Sequence, residues 1–369
     1  HQHLGPEGVQ QVLRAVRGVR RRAPEPRLRA EEFDGLREGW ARLAEQTGNI
    51  FATPDWAELW WEHFGAGKTL LLRSLRGVDD GLRAVLPLYF WKERPLRVTR
   101  IVGHHAGDQL GPVAAPHDRP AAARALLRLL VEERCDAFVA EQTAASEGWR
   151  SLLGARLLAE EGSPVLRLGR IDWEGYLASR SKNFRDQVRG RERKLARTHD
   201  ISFRLCDDPA RLQEDMTTLF RLHRARWAGA ATTFGAREPF HRDFALRALE
   251  RGWLRLWLLE LDGAPAAAWY GFRYGRSESY YQAGRLPELD RESVGFVLMA
   301  HTIREAIATG AEEYRLLRGG EEYKYRFAAL DRGLETIGLG LTARGAVALG
   351  AARAARSGRR AAATLSRQT

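Results

Sequence analysis

The chain has 369 residues, 44% of them apolar, enough for two ordinary cores, and its 29% charged fraction leaves no apolar run near the ~18 residues of a membrane span. No apolar leader opens it, so residence in the cytoplasm is the expectation. The net charge of +12 sits at the ends: residues 1–29 hold seven Arg and two Glu, residues 341–369 six Arg and no acid, leaving +1 for residues 30–340. The basicity therefore belongs to two tails and says little about a site in the body.

In chain order, residues 1–27 read as a basic leader. Val9, Val12, Leu13, Val16 and Val19 recur at helical spacing with Arg14, Arg17, Arg20 and Arg21 between them, a pattern that suits either an anchor on an anionic membrane surface or a mobile leader. A first domain is expected over 28–165. It opens with a helix ending at Gly48 and a second one capped by Thr53 with Pro54 at its first position. Trp56, Trp60, Trp61 and Phe64 stripe one side of that helix and are expected in a core. Strands follow at 69–77, 82–93 and 96–103, then the polar stretch HHAGDQLGPVAAP, a helix at 119–133, a strand at 135–142 and a helix at 147–162. Alternation of this kind means an α/β sandwich. His104 and His105 are adjacent, share no helix or strand face and show no third ligand, so no metal is expected. Cys135 and Cys206 stand in apolar segments at no redox or metal spacing and are expected to be inert.

A second domain is expected over 166–340. SKNFRDQVRGRERKLART reads as a helix that buries Phe184, Val188 and Leu195, and eight basic residues lie between Arg180 and Arg197 against two acids. That face is either a solvated surface or a contact to coenzyme A, tRNA phosphates or duplex nucleic acid. A strand at 201–206 leads to a long helix capped by Asp207 or Asp208, then to another ending at Gly252. His223 and His241 on these helices are candidate proton carriers. Strands at 254–263, 264–275 and 277–284 are joined by Asp262-Gly263 and Gly275-Arg276. A helix over about 294–309 stops at Gly310, and a strand at 313–317 runs into Arg318-Gly319-Gly320. The Ser-x-Gly turn before the helix offers free N–H groups to an anionic ligand, which places function near Ser293. The charged segment 318–327 is either part of that site or a surface turn ahead of a helix. The tail 341–369 is Ala/Arg-rich and is expected to be disordered or a loosely held helix.

Asp262, Gly263, Tyr280, Tyr281, Gly284, Ser293, Gly295, Gly319, Glu321, Tyr323 and Lys324 together make this half resemble the GNAT acyltransferase superfamily. More narrowly, with F-x-T-P-x-W near the start, the chain is similar to CelD-like acetyltransferases, cousins of the Fem-type peptidyltransferases. The phosphate loop departs from the usual Arg/Gln-x-x-Gly-x-Gly/Ala, because Val294 stands three residues after Arg291 and only Gly295 is near.

The resemblance implies an α/β protein of two tandem GNAT-like domains, mixed central sheets flanked by helices, that transfers an acetyl or other acyl group from acyl-CoA to a small-molecule amine by direct attack. Such attack needs no Ser or Cys nucleophile, in keeping with the absence of a G-x-S-x-G elbow or a Cys–His signature. It implies donor contacts at Gln282, Ala283, Gly284, Ser293, Val294, Gly295 and Phe296, with a backbone N–H around 282–284 polarising the acyl carbonyl. A general base is expected among Glu321, Glu322, Asp290 and Glu292, proton return from Tyr281 or Tyr323, and anion binding by Lys324. Asp108 and Arg318 are the substrate-facing candidates. Two alternatives stand beside this: a Fem-like transferase using aminoacyl-tRNA, and a non-catalytic, membrane-associated accessory protein of polysaccharide or envelope assembly.

Overall fold

The computed structural model describes residues 27–365, with side chains through residue 354; the expected leader helix lies outside them. The chain divides into two units, one holding residues up to 47, 51–161 and those from 333 onward, the other residues 48–50 and 162–332.

The first unit begins with β1 (Arg27–Ala30), α1 (Phe33–Thr47), α2 (Pro54–Phe64), β2 (Lys68–Arg76), β3 (Leu82–Trp91), β4 (Val98–Ile101), β5 (Val113–Ala114), α3 (Arg119–Glu132), β6 (Ala137–Ala144), α4 (Trp149–Leu153) and β7 (Arg156–Glu161). Thr53 caps α2 by accepting from the Trp56 N–H. Trp56 and Trp60 of the aromatic stripe are buried, as expected of core side chains. Cys135 is buried too.

The second unit follows as β8 (Pro164–Arg167), α5 (Trp173–Ala178), α6 (Lys182–Thr198), β9 (Ile201–Leu205), α7 (Leu212–Arg226), α8 (Glu238–Glu250), β10 (Leu254–Leu261), β11 (Ala264–Tyr274), β12 (Ser277–Arg285), α9 (Val294–Ala308), β13 (Glu313–Arg315), α10 (Glu322–Phe327) and β14 (Leu330–Asp331). Its sheet runs β14-β8-β13-β12-β11-β10-β9, antiparallel except where β12 meets β13. α6 buries Phe184, Val188 and Leu195 and no other residue, as its spacing predicts.

The chain then returns to the first unit as β15 (Leu334–Gly340) and α11 (Ala343–Leu365). β15 is inserted between β6 and β7, so the first sheet runs β1-β2-β3-β4-β6-β15-β7. The fold class is thus α/β with two mixed sheets flanked by helices.

Three local expectations are corrected and a fourth, for the tail, is narrowed to its helical alternative. The helix expected over 147–162 is only the short α4. Gly154, at φ 61°, closes it, and Arg156–Glu161 becomes an edge strand on β15. The second domain, expected through 340, yields its last strand to the first sheet. α7 starts at Leu212, because Asp208 accepts from the Ala210 N–H in a turn and does not cap the helix. The tail is helical from Ala343, docked by Leu349 against Ala137, Val139 and Leu158.

Candidate active site

In the second unit β12 is paired along its whole length to β11 but to β13 over only three residues, Ser277, Glu278 and Ser279. Beyond Ser279 the two parallel strands part, and residues 280–285 of β12 present an edge with no strand beside it. A bulge lies in the same segment: Gly271 stands opposite Tyr280 and Tyr270 opposite Gln282, so Tyr281 is the extra residue. Tyr280 faces the α9 layer, stacked on Trp269 at 5.7 Å. Tyr281 turns to the opposite layer, among Phe234, His241 and Tyr270. Gly284 is where α7 meets the strand, since a Cβ there would stand 2.3 Å from the His223 N and 2.5 Å from the Leu222 carbonyl carbon. His223 donates from Nδ1 to the Ala283 carbonyl and accepts at Nε2 from Thr232. Burial lowers its pKa and keeps the ring neutral, a structural clamp on β12.

The parting strands open a cleft of about 370 Å³ whose floor includes Ala267, Ala268 and Trp269. One end is the start of α9. Ser293 caps the helix in the left-handed region at φ 60° and makes no side-chain cap bond. The Phe296 and Val297 N–H groups return to the Ser293 carbonyl, while those of Val294 and Gly295 have no backbone acceptor among the described residues. Phe296 lies between two cations, with Arg191 at 4.4 Å and Arg326 at 5.3 Å from its ring. Neither guanidinium has a carboxylate partner among the described residues. Burial and then the Arg326 charge pull the Arg191 pKa below its ordinary value. Free amides, a helix N-terminus and two unneutralised guanidiniums are the makings of an anion site. Arg285, the third cation there, is held by Asp290 at 2.6 Å.

At the other wall Tyr280, Tyr323 and Arg226 converge. The Tyr323 hydroxyl donates to the Tyr280 oxygen at 3.5 Å, and Arg226 lines the same wall, where the two phenols favour its charge. Burial, together with Tyr280, raises the Tyr323 pKa well beyond the ordinary phenol value, so the Tyr323 hydroxyl remains a protonated donor.

Of the residues expected in the site, Ala283, Gly284, Ser293, Gly295, Phe296 and Tyr323 line this cleft. Val294 belongs to the core by its side chain and can contribute only its backbone. Gln282 pairs with Tyr270 in the sheet. Lys324 is buried, its ammonium on the Arg318 and Gly319 carbonyls and on the Glu321 carboxylate at 3.0 Å, so it fastens the 318–321 turn. Arg318 and Glu322 are exposed. Glu321 is exposed as well but acts electrostatically on Tyr323. Arg226, Arg191, Arg326 and Tyr280 are among the lining residues absent from the sequence-based site. Arg191 carried a signal in the basic stretch 180–197, whereas Arg226 had none beyond being a basic residue at a helix end.

Asp108 is buried in the first unit, in the loop after β4. In that loop His105 adopts φ 69°, which folds its ring onto His104 at 3.6 Å, and Glu141 of β6 reaches both. The sequence had shown no third residue of this kind. Arg100 donates to Glu141 at 3.2 Å and Tyr89 bonds His104 Nδ1 at 3.1 Å. Despite its burial, the His104 and Arg100 charges hold the Glu141 pKa at about 2.

A mixed sheet with parted parallel strands, and a helix N-terminus set in the gap, frame the cleft. Residues 182–325 match the family model described as an acetyltransferase (GNAT) domain, and this part of the chain is a GNAT-type acetyltransferase domain. The protein is accordingly an acyltransferase. Among solved structures it is similar to FemX, at 12% identity and a TM-score of 0.60, over 85% of this chain and 96% of that one. It is also similar to the C-terminal domain of a putative lysylphosphatidylglycerol synthetase from Agrobacterium fabrum (12%, TM-score 0.56, 86% and 95%) and to L-PGS from Bacillus licheniformis (13%, TM-score 0.51, 81% and 96%). At such identities the likeness is one of fold. No curated protein matches the chain. Among the described residues no helix is long and apolar enough to cross a membrane.

Proposed function

We propose that the cleft transfers an acyl group from acyl-CoA to an amine by direct attack, within the CelD-like branch that the sequence resembles. The observation that carries this is the unpaired edge of β12 at 280–285 running toward the free amides of Val294 and Gly295. An acyl-pantetheine arm can lie along such an edge as an added strand, and its pyrophosphate meets the α9 N-terminus with Arg191 and Arg326. Coenzyme A supplies the acyl group as a thioester; the remaining work falls to the chain's own groups. Backbone N–H groups of the β12 edge hold the carbonyl oxygen as it gains charge. Asp290 is the one carboxylate lining the cleft among the described residues, and Arg285 occupies it. The amine therefore loses its proton through water to the rim, where Glu321 stands, and Tyr280 or Tyr323 donates to the departing sulfur.

The second reading, an aminoacyl-tRNA donor, is favoured by the basic face of α6, which continues from Arg191 through Arg193, Lys194 and Arg197. Thermal shift separates the two, since a ligand bound only by the folded state raises its midpoint. Acetyl-CoA should raise the midpoint and Gly295→Trp should abolish the rise. No rise with acetyl-CoA or longer acyl-CoAs, together with salt-sensitive binding of tRNA, would move the assignment to the tRNA donor.

A further inference from the structure

Arg226 is the last residue of α7, and α7 does not belong to the layer that builds the cleft. Its Phe220 stacks on Phe234, which packs on Tyr281, on the far side of the sheet from Tyr280. Arg226 nevertheless lines the cleft together with Tyr280 and Tyr323, at the unpaired edge that β12 leaves when it parts from β13. A cation is thereby delivered into a cleft otherwise walled at that point by alanine and aromatic side chains. No carboxylate pairs with it among the described residues, and the Tyr280 and Tyr323 phenols stand beside it in the cleft wall. Burial opposes the charge while the two phenols favour it, with a net rise in its pKa, so the half-buried guanidinium stays charged with no carboxylate to balance it until an anion joins it.

We propose that Arg226 reads a carboxylate on the acyl acceptor, so that the substrate class is an amine carrying a carboxylate near its reacting nitrogen. The proposal rests on the acyl-transfer reading above and adds the acceptor to it. A planar guanidinium presents a paired N–H fork that matches a carboxylate in two parallel bonds, with the Tyr280 and Tyr323 hydroxyls beside it as further donors. The single charge suits a monoanion better than a phosphate dianion. Arg191 and Arg326 remain for the donor at the α9 end. The acceptor is then held by its acid group at the Tyr280–Tyr323 wall, with its amine directed toward the β12 edge.

The test uses the full chain and the acetylated products such acceptors would yield. Thermal shift and calorimetric titration would be run with N-acetylglycine, N-acetyl-β-alanine and N-acetyl-γ-aminobutyrate, with the carboxamide of each, and with N-acetylphosphoethanolamine. At least one carboxylate should stabilise the protein, its carboxamide should bind about ten- to a hundredfold more weakly, and the phosphate ester should not exceed the carboxylate. Arg226→Met should erase the difference between carboxylate and carboxamide while keeping the acetyl-CoA response; Arg226→Lys should retain part of it. Equal binding of acid and amide by the wild type, no response to any carboxylate, or a stronger response to the phosphate ester overturns the proposal, and none of these depends on a variant that folds. Carboxylate selectivity without any acyl-CoA response would instead sustain the anion site and remove the donor assignment.

Discussion

Tyr280 and Tyr281 are neighbours in sequence and stand on opposite faces of β12, as successive strand residues do, and the bulge opposite Tyr270 and Gly271 leaves Tyr281 without a partner on β11. Tyr280 lines the cleft and shares a hydrogen bond with Tyr323, whereas Tyr281 packs among aromatic rings of the other layer. Tyr280→Phe should therefore lower kcat/KM by about 10²-fold, the usual worth of a positioned proton donor, and Tyr281→Phe should leave it within a few fold. Steady-state release of coenzyme A from the two variants decides this. A larger loss in Tyr281→Phe would return the proton-donor role to the residue named from sequence.

Lys324 has its ammonium on two carbonyls and a carboxylate of the 318–321 turn. Lys324→Met should destabilise the protein by about 1–3 kcal/mol, the cost of leaving buried polar groups without partners. Urea unfolding measures it. Arg318→Ala, at an exposed side chain, should leave the midpoint unchanged. A Lys324→Met protein of normal stability and lost activity would restore the substrate-binding role.

Gly284 has no room for a side chain, because the atoms a Cβ would meet are backbone atoms of Leu222 and His223. Gly284→Ala should cost about 3 kcal/mol or more, at the upper end of overpacking losses, since neither backbone can step aside. At Gly295 the nearest atom is the Arg285 Cδ at 3.3 Å, in a flexible side chain. Gly295→Ala should change stability by less than about 1 kcal/mol. Equal midpoints for the two variants would mean that α7 can lift from β12.

Glu278 is buried between Arg255 at 3.8 Å and Arg273 at 3.6 Å, with Glu305 and Tyr314 also acting on it. Burial raises its pKa to about 7 from an ordinary 4.5. A carboxyl group raised in this way binds more protons folded than unfolded across that window, so stability falls as pH climbs from about 4.5 to about 7. The loss amounts to roughly 3 kcal/mol. Unfolding free energies at pH 5, 6, 7 and 8 should show this slope, and Glu278→Gln should flatten it. An unchanged slope in the variant would assign the dependence to another group.

Local sequence determined the periods, caps and turns of this protein. It set the buried face of α6, the Thr53 cap, the hairpins around β11 and the extent of α9, since spacing and turn chemistry act within a few residues. It also pointed to the start of α9, which forms one end of the cleft, because a helix start is a local event. Tertiary structure alone decided which strands meet. Leu157 and Leu158 suit a helix as well as a strand, and only β15, arriving from more than 170 residues away, made their segment β7. The bulge at Tyr281, the parting of β12 from β13 and the placing of Arg226 in the cleft wall are likewise products of pairing and packing between distant segments. Pairing is fixed by the burial and hydrogen bonding of both partners together, and neither partner's own sequence carries that information.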